Sequence, residues 1–341
     1  MGPEIDELEE KLADYVNMKH CISCSSGTDA LLIPLMAMGV GPGDAVITTP
    51  FTYIATIEAI ALLGATPIFC DIYDRTFNIN PEGLEAAYEN ALSKNLKPRA
   101  ILPVDLFGLP ARYRLIEKFA KNKNMLILED AAQGFGGKIK NKLAGSFGDV
   151  SGTSFFPAKP LGCYGDGGAI FTNNDELAQK MKSIRVHGAG KDKYENNRIG
   201  VNGRLDTIQA AILLEKLEIF DNELKSREKA AKYYTHNIHK MFITPLIPNK
   251  YFSSWAQYSI LIPQEIDRKK IIESLNNEGI PSMVYYKIPA HLQKGYELYE
   301  YERGDFPITE KISDRILSIP MHPYLKKVDQ DKIINILNSI S

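Results

Sequence analysis

Cysteine is scarce in this chain. Its four cysteines, at 21, 24, 70 and 163 of 341 residues, are too few and too scattered for the disulfide framework of a small secreted domain. Buried free thiols are expected instead. Cys21 and Cys24 do form a C-x-x-C, but no second pair or H-x-x-x-H comes after it to complete four zinc ligands, so no metal is expected. Net charge is equally scarce: 40 Lys and Arg against 42 Asp and Glu leave -2. That balance argues against a surface that coats a polyanion, hence against nucleic acid as a partner. Long apolar runs are missing too, with none near the roughly 18 residues a membrane span needs. Met1 to Asp14 is acidic and amphipathic rather than leader-like, so the expectation is a cytoplasmic protein with no membrane partner. Internal repeats and low-complexity tracts are absent, which excludes solenoids and linkers. What is present, 44% hydrophobic and 24% charged residues, is ordinary globular composition, and the length suggests about two domains.

The apolar pattern specifies the fold class. Ile5, Leu8, Leu12 and Tyr15 or Val16 recur at helical spacing and predict an opening helix over residues 4–16. Apolar runs then occur at Ala45 to Thr48, Pro67 to Ile72, Ala100 to Val104 and Met125 to Leu128. Helical stretches near Thr56 to Leu63, Glu82 to Leu92 and Arg112 to Lys121 separate them. Strands separated by helix-length segments imply right-handed crossovers and an α/β fold with a mostly parallel sheet buried on both faces. Gly152 to Phe156 and Ala169 to Thr172 extend the sheet, and a long helix from Leu205 to about Tyr234 bridges to the carboxy-terminal third of the chain. Beyond about Asp221 the chain turns rich in proline and tyrosine, as a smaller α+β domain would be. The expected division is 1–220 and 221–341.

Three stretches stand out chemically. Ser25-Ser26-Gly27-Thr28-Asp29-Ala30-Leu31 is a small polar turn entering an apolar helix with Pro34 inside it. It reads either as a phosphate cradle, with free N–H groups at a helix start, or as a plain N-cap. Leu126-Ile127-Leu128-Glu129-Asp130-Ala131-Ala132-Gln133 is a strand ending in carboxylates. Asp130 there would either face a ligand at the carboxyl end of the sheet or cap the next helix. In Ser154-Phe155-Phe156-Pro157-Ala158-Lys159-Pro160, one lysine sits between aromatics and prolines, with Gly162, Gly165, Gly167 and Gly168 just after. A desolvated pocket would depress its pKa toward the nucleophilic amine, whereas a lone lysine is ordinarily a solvated ion-pair partner. A phosphate cradle, a carboxylate for a ring nitrogen and a lysine to store an aldehyde, taken together, are the parts a pyridoxal phosphate enzyme needs.

The same stretches carry a resemblance. Ser26 to Leu31, Glu129 to Gln133, Ser154 to Lys159 with Gly165 to Gly168, Asn202 to Ala210, and Pro320-Met321-His322-Pro323 are similar to the ordered motifs of the DegT/StrS-type sugar-nucleotide aminotransferases, over essentially the whole chain. The resemblance implies fold type I with pyridoxal 5'-phosphate as cofactor. The implied reaction takes an amino group from glutamate to a nucleoside-diphosphate keto-sugar for lipopolysaccharide O-antigen or other surface polysaccharide. Within the family, the chain is most similar to enzymes that aminate UDP-2-acetamido-2-deoxy-3-oxo-glucuronate. Lys159 would then be the catalytic residue that holds the cofactor and shuttles the proton. Asp130 would pair with the ring nitrogen, Gln133 would bond the phenolic oxygen, and Gly27, Thr28 and Ser154 would hold the phosphate. Tyr53 would stack on the ring or else fill the core. Asn202 would reach the cofactor of the neighbouring subunit in a homodimer, and Arg204, Tyr285 and Tyr286 would meet substrate.

Two departures accompany the resemblance. The chain starts at Gly2-Pro3-Glu4, a few tens of residues later than family members, which implies an amino-terminal segment that is missing or shorter. Tyr285-Tyr286 stands where the glucuronate enzymes have a His-Tyr pair, which leaves open a hexuronate or a neutral sugar, on UDP or dTDP. A dehydratase of the same superfamily would replace Lys159 by histidine, and a non-enzymatic regulator on this fold remains a further alternative. A dinucleotide enzyme lacks its G-x-G-x-x-G. His187-Gly188 reads as a helix C-cap in preference to a cofactor-side residue, His291 and His322 as structural or substrate-rim residues, and Arg185 and Arg198 as solvated surface cations in preference to partners of a diphosphate.

Overall fold

In the computed structural model, residues 2–192 and 194–340 are described. The strands are β1 (His20–Cys24), β2 (Asp44–Thr48), β3 (Thr66–Phe69), β4 (Lys97–Ile101), β5 (Leu126–Asp130), β6 (Lys138–Ile139), β7 (Lys142–Leu143), β8 (Val150–Ser154), β9 (Gly168–Thr172), β10 (Tyr251–Phe252), β11 (Tyr258–Leu261) and β12 (Ile316–Ile319). The main helices are α1 (Pro3–Val16), α2 (Asp29–Ala37), α3 (Ala55–Ala61), α4 (Leu84–Ser93), α5 (Tyr113–Lys123), α6 (Asp175–Ile184), α7 (Thr207–Asn237), α8 (Arg268–Asn277), α9 (Pro307–Arg315) and α10 (Lys327–Ser339).

The apolar runs pair into one seven-stranded sheet in the order β1-β9-β8-β5-β4-β2-β3. Every neighbour from β8 to β3 is parallel, while β9 runs antiparallel to both β1 and β8. Successive residues of a strand face opposite sides, so a sheet covered twice must be apolar at consecutive positions. Ile127 and Leu128 illustrate it. Ile127 belongs to the apolar cluster that includes Ile116 of α5 and Leu84 of α4, whereas Leu128 belongs to the one that includes Leu31 of α2 and Met181 of α6.

β1 was not expected, because His20-Cys21-Ile22-Ser23-Cys24 is short and half polar. It also disposes of the C-x-x-C. Three residues apart on a strand, Cys21 and Cys24 point to opposite faces and enter different apolar clusters, and all four cysteines are free and buried. The runs expected at Pro67 to Ile72 and Ala100 to Val104 leave the sheet early, at Phe69 and Ile101. Val104 returns only as a single bridge to Asp130.

The expectation that Arg185 is a solvated surface cation is wrong. It is only 4% exposed and donates to Glu9 and to the Ser23 carbonyl, tying the end of α6 to α1 and β1. Buried cations require such partners, and the sequence separation of 176 residues hid this one. Arg198 is exposed. Past α6, the Gly188 N–H bonds the Ser183 carbonyl at 2.8 Å, the role expected of a helix terminator. His291 is buried against Glu310.

α7 runs about 47 Å, from 31 residues at 1.5 Å each. Its first half packs Leu213 and Phe220 against α1, and its second packs Ala231 and Tyr234 with β11, β12, α8 and α10. The division expected at residue 220 falls inside this helix. A third cluster joins the two parts, with Phe51, Phe107 and Val104 meeting Leu261 and Ile312.

Candidate active site

The carboxyl ends of β5 and β8, the start of α2 and the segment before α3 surround a cavity of about 340 Å³. This is where ligands sit in open parallel sheets, because the chain there leaves the hydrogen-bonded ladder and exposes its polar groups.

At one end lies the turn into α2. The Ser26 hydroxyl accepts from the Asp29 N–H at 3.1 Å, so Ser26 does cap the helix, while Gly27 and Thr28 line the cavity. A Cβ on Gly27 would lie 2.6 Å from the Ser154 Cβ. Glycine therefore lets the helix start and the end of β8 converge, bringing N–H groups and the Ser154 hydroxyl to one point. The positive end of a helix and that hydroxyl suit a phosphate.

Asp130, only 4% exposed, occupies the middle. Its carboxylate accepts from the Thr56 hydroxyl at 2.9 Å and from the Ala132 N–H at 3.1 Å. No α-helix begins after it, since residues 132–136 form turns, so the capping alternative falls away. Burial raises its pKa and the charge of Lys159 opposes that rise. A partner cation, such as a protonated ring nitrogen, would complete its neutralisation. Gln133 is fixed on both sides: its carbonyl oxygen accepts from the Phe107 N–H at 2.7 Å and its amide donates to the Tyr286 hydroxyl at 3.0 Å. Lys159 faces the same cavity, and desolvation lowers its pKa while Asp130 pulls it back up. The loop that carries it is held from α7, by Gln209 accepting from the Tyr164 N–H at 2.9 Å and by Lys216 donating to the Gly162 carbonyl.

Tyr53, 57% exposed, stands at the mouth, so it is not core filler. Tyr285 and Tyr286 close the wall from the carboxy-terminal part. Asn202 and Arg204 are exposed and do not line this cavity. Sequence reasoning missed Thr52, Thr56, Phe156, Asp166 and Gln257, which also line it. Phe156 and Asp166 lie within the lysine and glycine motif, and Thr52 and Thr56 are two hydroxyls four apart at the start of a helix after an expected strand; they bond each other at 2.9 Å. Among the described residues no group of three or more His, Cys, Asp or Glu is arranged to hold a metal.

An anion cradle, a buried carboxylate and a desolvated lysine around one cavity at the sheet's carboxyl edge define the class as an α/β transferase built for pyridoxal phosphate. A sequence profile of the DegT/DnrJ/EryC1/StrS aminotransferase family matches residues 1–338, and the chain belongs to that family. It is 47% identical over 326 residues to UDP-2-acetamido-2-deoxy-3-oxo-D-glucuronate aminotransferase of Pseudomonas aeruginosa, across 95% of this chain and 87% of that protein. A crystal structure of a family aminotransferase from Brucella abortus matches with a TM-score of 0.96 at 49% identity, covering 99% of this chain and 90% of the other. NtdA from Bacillus subtilis, solved with bound cofactor PMP, matches with a TM-score of 0.90 at 31% identity, covering 100% of this chain and 77% of the other. The chain is a pyridoxal-phosphate-dependent aminotransferase, and the residues around the cavity fit that cofactor.

Proposed function

We propose that this enzyme takes an amino group from glutamate and delivers it to the keto carbon of a nucleoside-diphosphate sugar, UDP-2-acetamido-2-deoxy-3-oxo-glucuronate or a related UDP or dTDP 3- or 4-keto sugar, for surface polysaccharide. The observation that carries it is the convergence of Lys159, Asp130 and the Gly27 turn on one cavity, with the 47% identical relative as the guide to substrate. Pyridoxal phosphate, when bound, supplies an aldehyde conjugated to an electron-withdrawing ring. Asp130, held in place by the Thr56 hydroxyl, would keep a proton on the ring nitrogen. The amide of Gln133, which donates to the Tyr286 hydroxyl, would also donate to the phenolic oxygen. Gly27, Thr28 and Ser154 would hold the phosphate, and Tyr53 would cover the ring face. The amine of Lys159, its pKa depressed by burial, takes and returns a proton at the reacting carbon.

The proposal includes a homodimer in which Asn202 and Arg204 serve the partner's cofactor and substrate, while Tyr285 and Tyr286 meet substrate in their own protomer. It also includes a division into a cofactor domain, 1–220, and a cap, 221–341. Four buried free thiols accord with a reducing cytoplasm.

The test is spectral. Pyridoxal phosphate added to the pure protein gains a long-wavelength band on covalent attachment to Lys159; glutamate bleaches it and a UDP-3-keto sugar restores it. Lys159→Ala abolishes the band. An unchanged band and glutamate response in that variant would sink the assignment.

A further inference from the structure

β5 carries a second carboxylate beside Asp130. Glu129 points to the opposite face of the strand, where Asp105 meets it, and both side chains are completely buried. The Glu129 oxygens accept from the Gly145 N–H at 3.0 Å and the Phe147 N–H at 2.8 Å. Asp105 Oδ1 accepts twice, from the Ala111 N–H at 2.9 Å and the Tyr113 hydroxyl at 2.8 Å. Asp105 Oδ2, equally buried, has no donor. After burial, the strongest influences on the pair are each other, these N–H groups, Tyr113 and the Ser151 hydroxyl, and none of these is a cation. Asp130 of β5 and Tyr251 of β10 also face the cluster without adding positive charge; a nearby cation is Arg112, just before α5, whose guanidinium acts on Tyr251 and donates to the Tyr73 hydroxyl at 2.9 Å.

Two carboxylates in contact in a dry interior cannot both ionise. The oxygen that lacks a donor is the natural place for the missing proton: as Oδ2–H it donates to Glu129, which goes on accepting from its two N–H groups. Burial and the charge of Glu129 push Asp105 well above the usual carboxylate range, and burial raises Glu129 to about 7.

The pair underlies the cofactor cavity. The Asp105 N–H bonds the Asp130 carbonyl at 3.0 Å, and the Asp130 N–H bonds the Pro103 carbonyl at 2.9 Å. Two residues on, the Phe107 N–H holds the Gln133 carbonyl oxygen. A Cβ on Gly134 would collide with the Asp105 side chain, so the turn after Gln133 rests directly on it. We propose that Asp105 and Glu129 form a carboxylic acid–carboxylate pair sharing one proton, and that this pair is the positioning device that sets Gln133 and Asp130 for the cofactor. The positioning half rests on the cavity holding pyridoxal phosphate; the shared proton does not.

The two halves are tested separately. On the apoprotein, the native state keeps a proton that the unfolded chain releases above about pH 4. Stability therefore falls as pH rises, by about tenfold in the folding constant per pH unit for each such proton. Asp105→Asn keeps a donor toward Glu129 but cannot titrate. It is expected to flatten the dependence by one proton between about pH 5 and about pH 8, read from urea unfolding at each pH. Equal slopes in wild type and variant overturn the shared proton. So does the absence, at neutral pH, of a protonated-carboxyl infrared band in the wild-type apoprotein, a measurement that needs no variant to fold. For positioning, pyridoxal phosphate is titrated by absorbance. Asp105→Ala, which leaves Glu129 without its donor, is expected to bind about tenfold more weakly and to move the pH midpoint of the bound cofactor's band, and Asp105→Asn to restore both. Wild-type affinity and midpoint in Asp105→Ala overturn positioning. A wild-type protein that gains no band at all overturns the functional reading instead, and leaves the proton measurements standing.

Discussion

At the scale of single residues, the site depends on close approach more than on unusual chemistry. Gly27 has no room for a side chain, because the Ser154 Cβ would be 2.6 Å from its Cβ. Gly27→Ala must push α2 and β8 apart at the point where the phosphate binds. Overpacking of this kind costs about 1 to 3 kcal/mol. Expressed in cofactor affinity, that is roughly ten- to hundredfold weaker binding of pyridoxal phosphate, read by absorbance titration. Wild-type affinity in Gly27→Ala would show that the cradle lies elsewhere. Asp130 obeys a different rule. Its buried charge is sustained by the Thr56 hydroxyl and the Ala132 N–H, and the Thr56 hydroxyl reaches it from 74 residues away in the chain.

At the scale of elements, α1, β1 and the end of α6 are joined by one buried ion pair. Arg185 donates to Glu9, which also accepts from the Ser23 N–H and hydroxyl, so each charge has several partners. Removing one member leaves the other charged and dry. Arg185→Ala is expected to lose about 3 to 5 kcal/mol in urea unfolding, and Glu9→Ala to lose a similar amount. The double variant should lose clearly less than the sum, since the second removal relieves the charge stranded by the first. Strict additivity would mean that the contact contributes nothing. The long helix α7 plays the complementary part, with Gln209 and Lys216 holding the loop behind Lys159.

At the scale of the whole molecule, Asp71 reaches from the large sheet's edge to cap α9: its carboxylate accepts from the N–H groups of Ile308 and Thr309, both at 3.0 Å. Asp71 thereby ties the carboxy-terminal part of the chain, which also supplies Tyr285 and Tyr286 to the cavity wall, to the sheet. The proposed dimer supplies what one protomer's cavity does not contain, Asn202 and Arg204. Subunit mixing tests it. Lys159→Ala and Asn202→Ala are each inactive alone in this arrangement. Refolded together in equal amounts, they should recover about a quarter of wild-type activity, because half of the dimers then carry one intact site. No recovery would place Asn202 in its own protomer's chemistry, and full activity of Asn202→Ala by itself would place it outside the site.

The local pattern of this chain sufficed for the alternation of strands and helices, the parallel sheet and the three motifs that build the cavity. Each of these is written in neighbouring residues: apolar runs set strands, three- and four-residue spacing sets helices, and glycine beside a small polar turn sets a helix start. Tertiary structure alone decided the rest. It made a strand of the half-polar His20–Cys24 by giving it β9 as a partner, and it buried Arg185 by bringing Glu9 to it. It turned Thr56 toward Asp130 and set Asp105 against Glu129. Those outcomes depend on pairs of residues far apart in the chain, whose burial and mutual charge exist only once the sheet has brought them together.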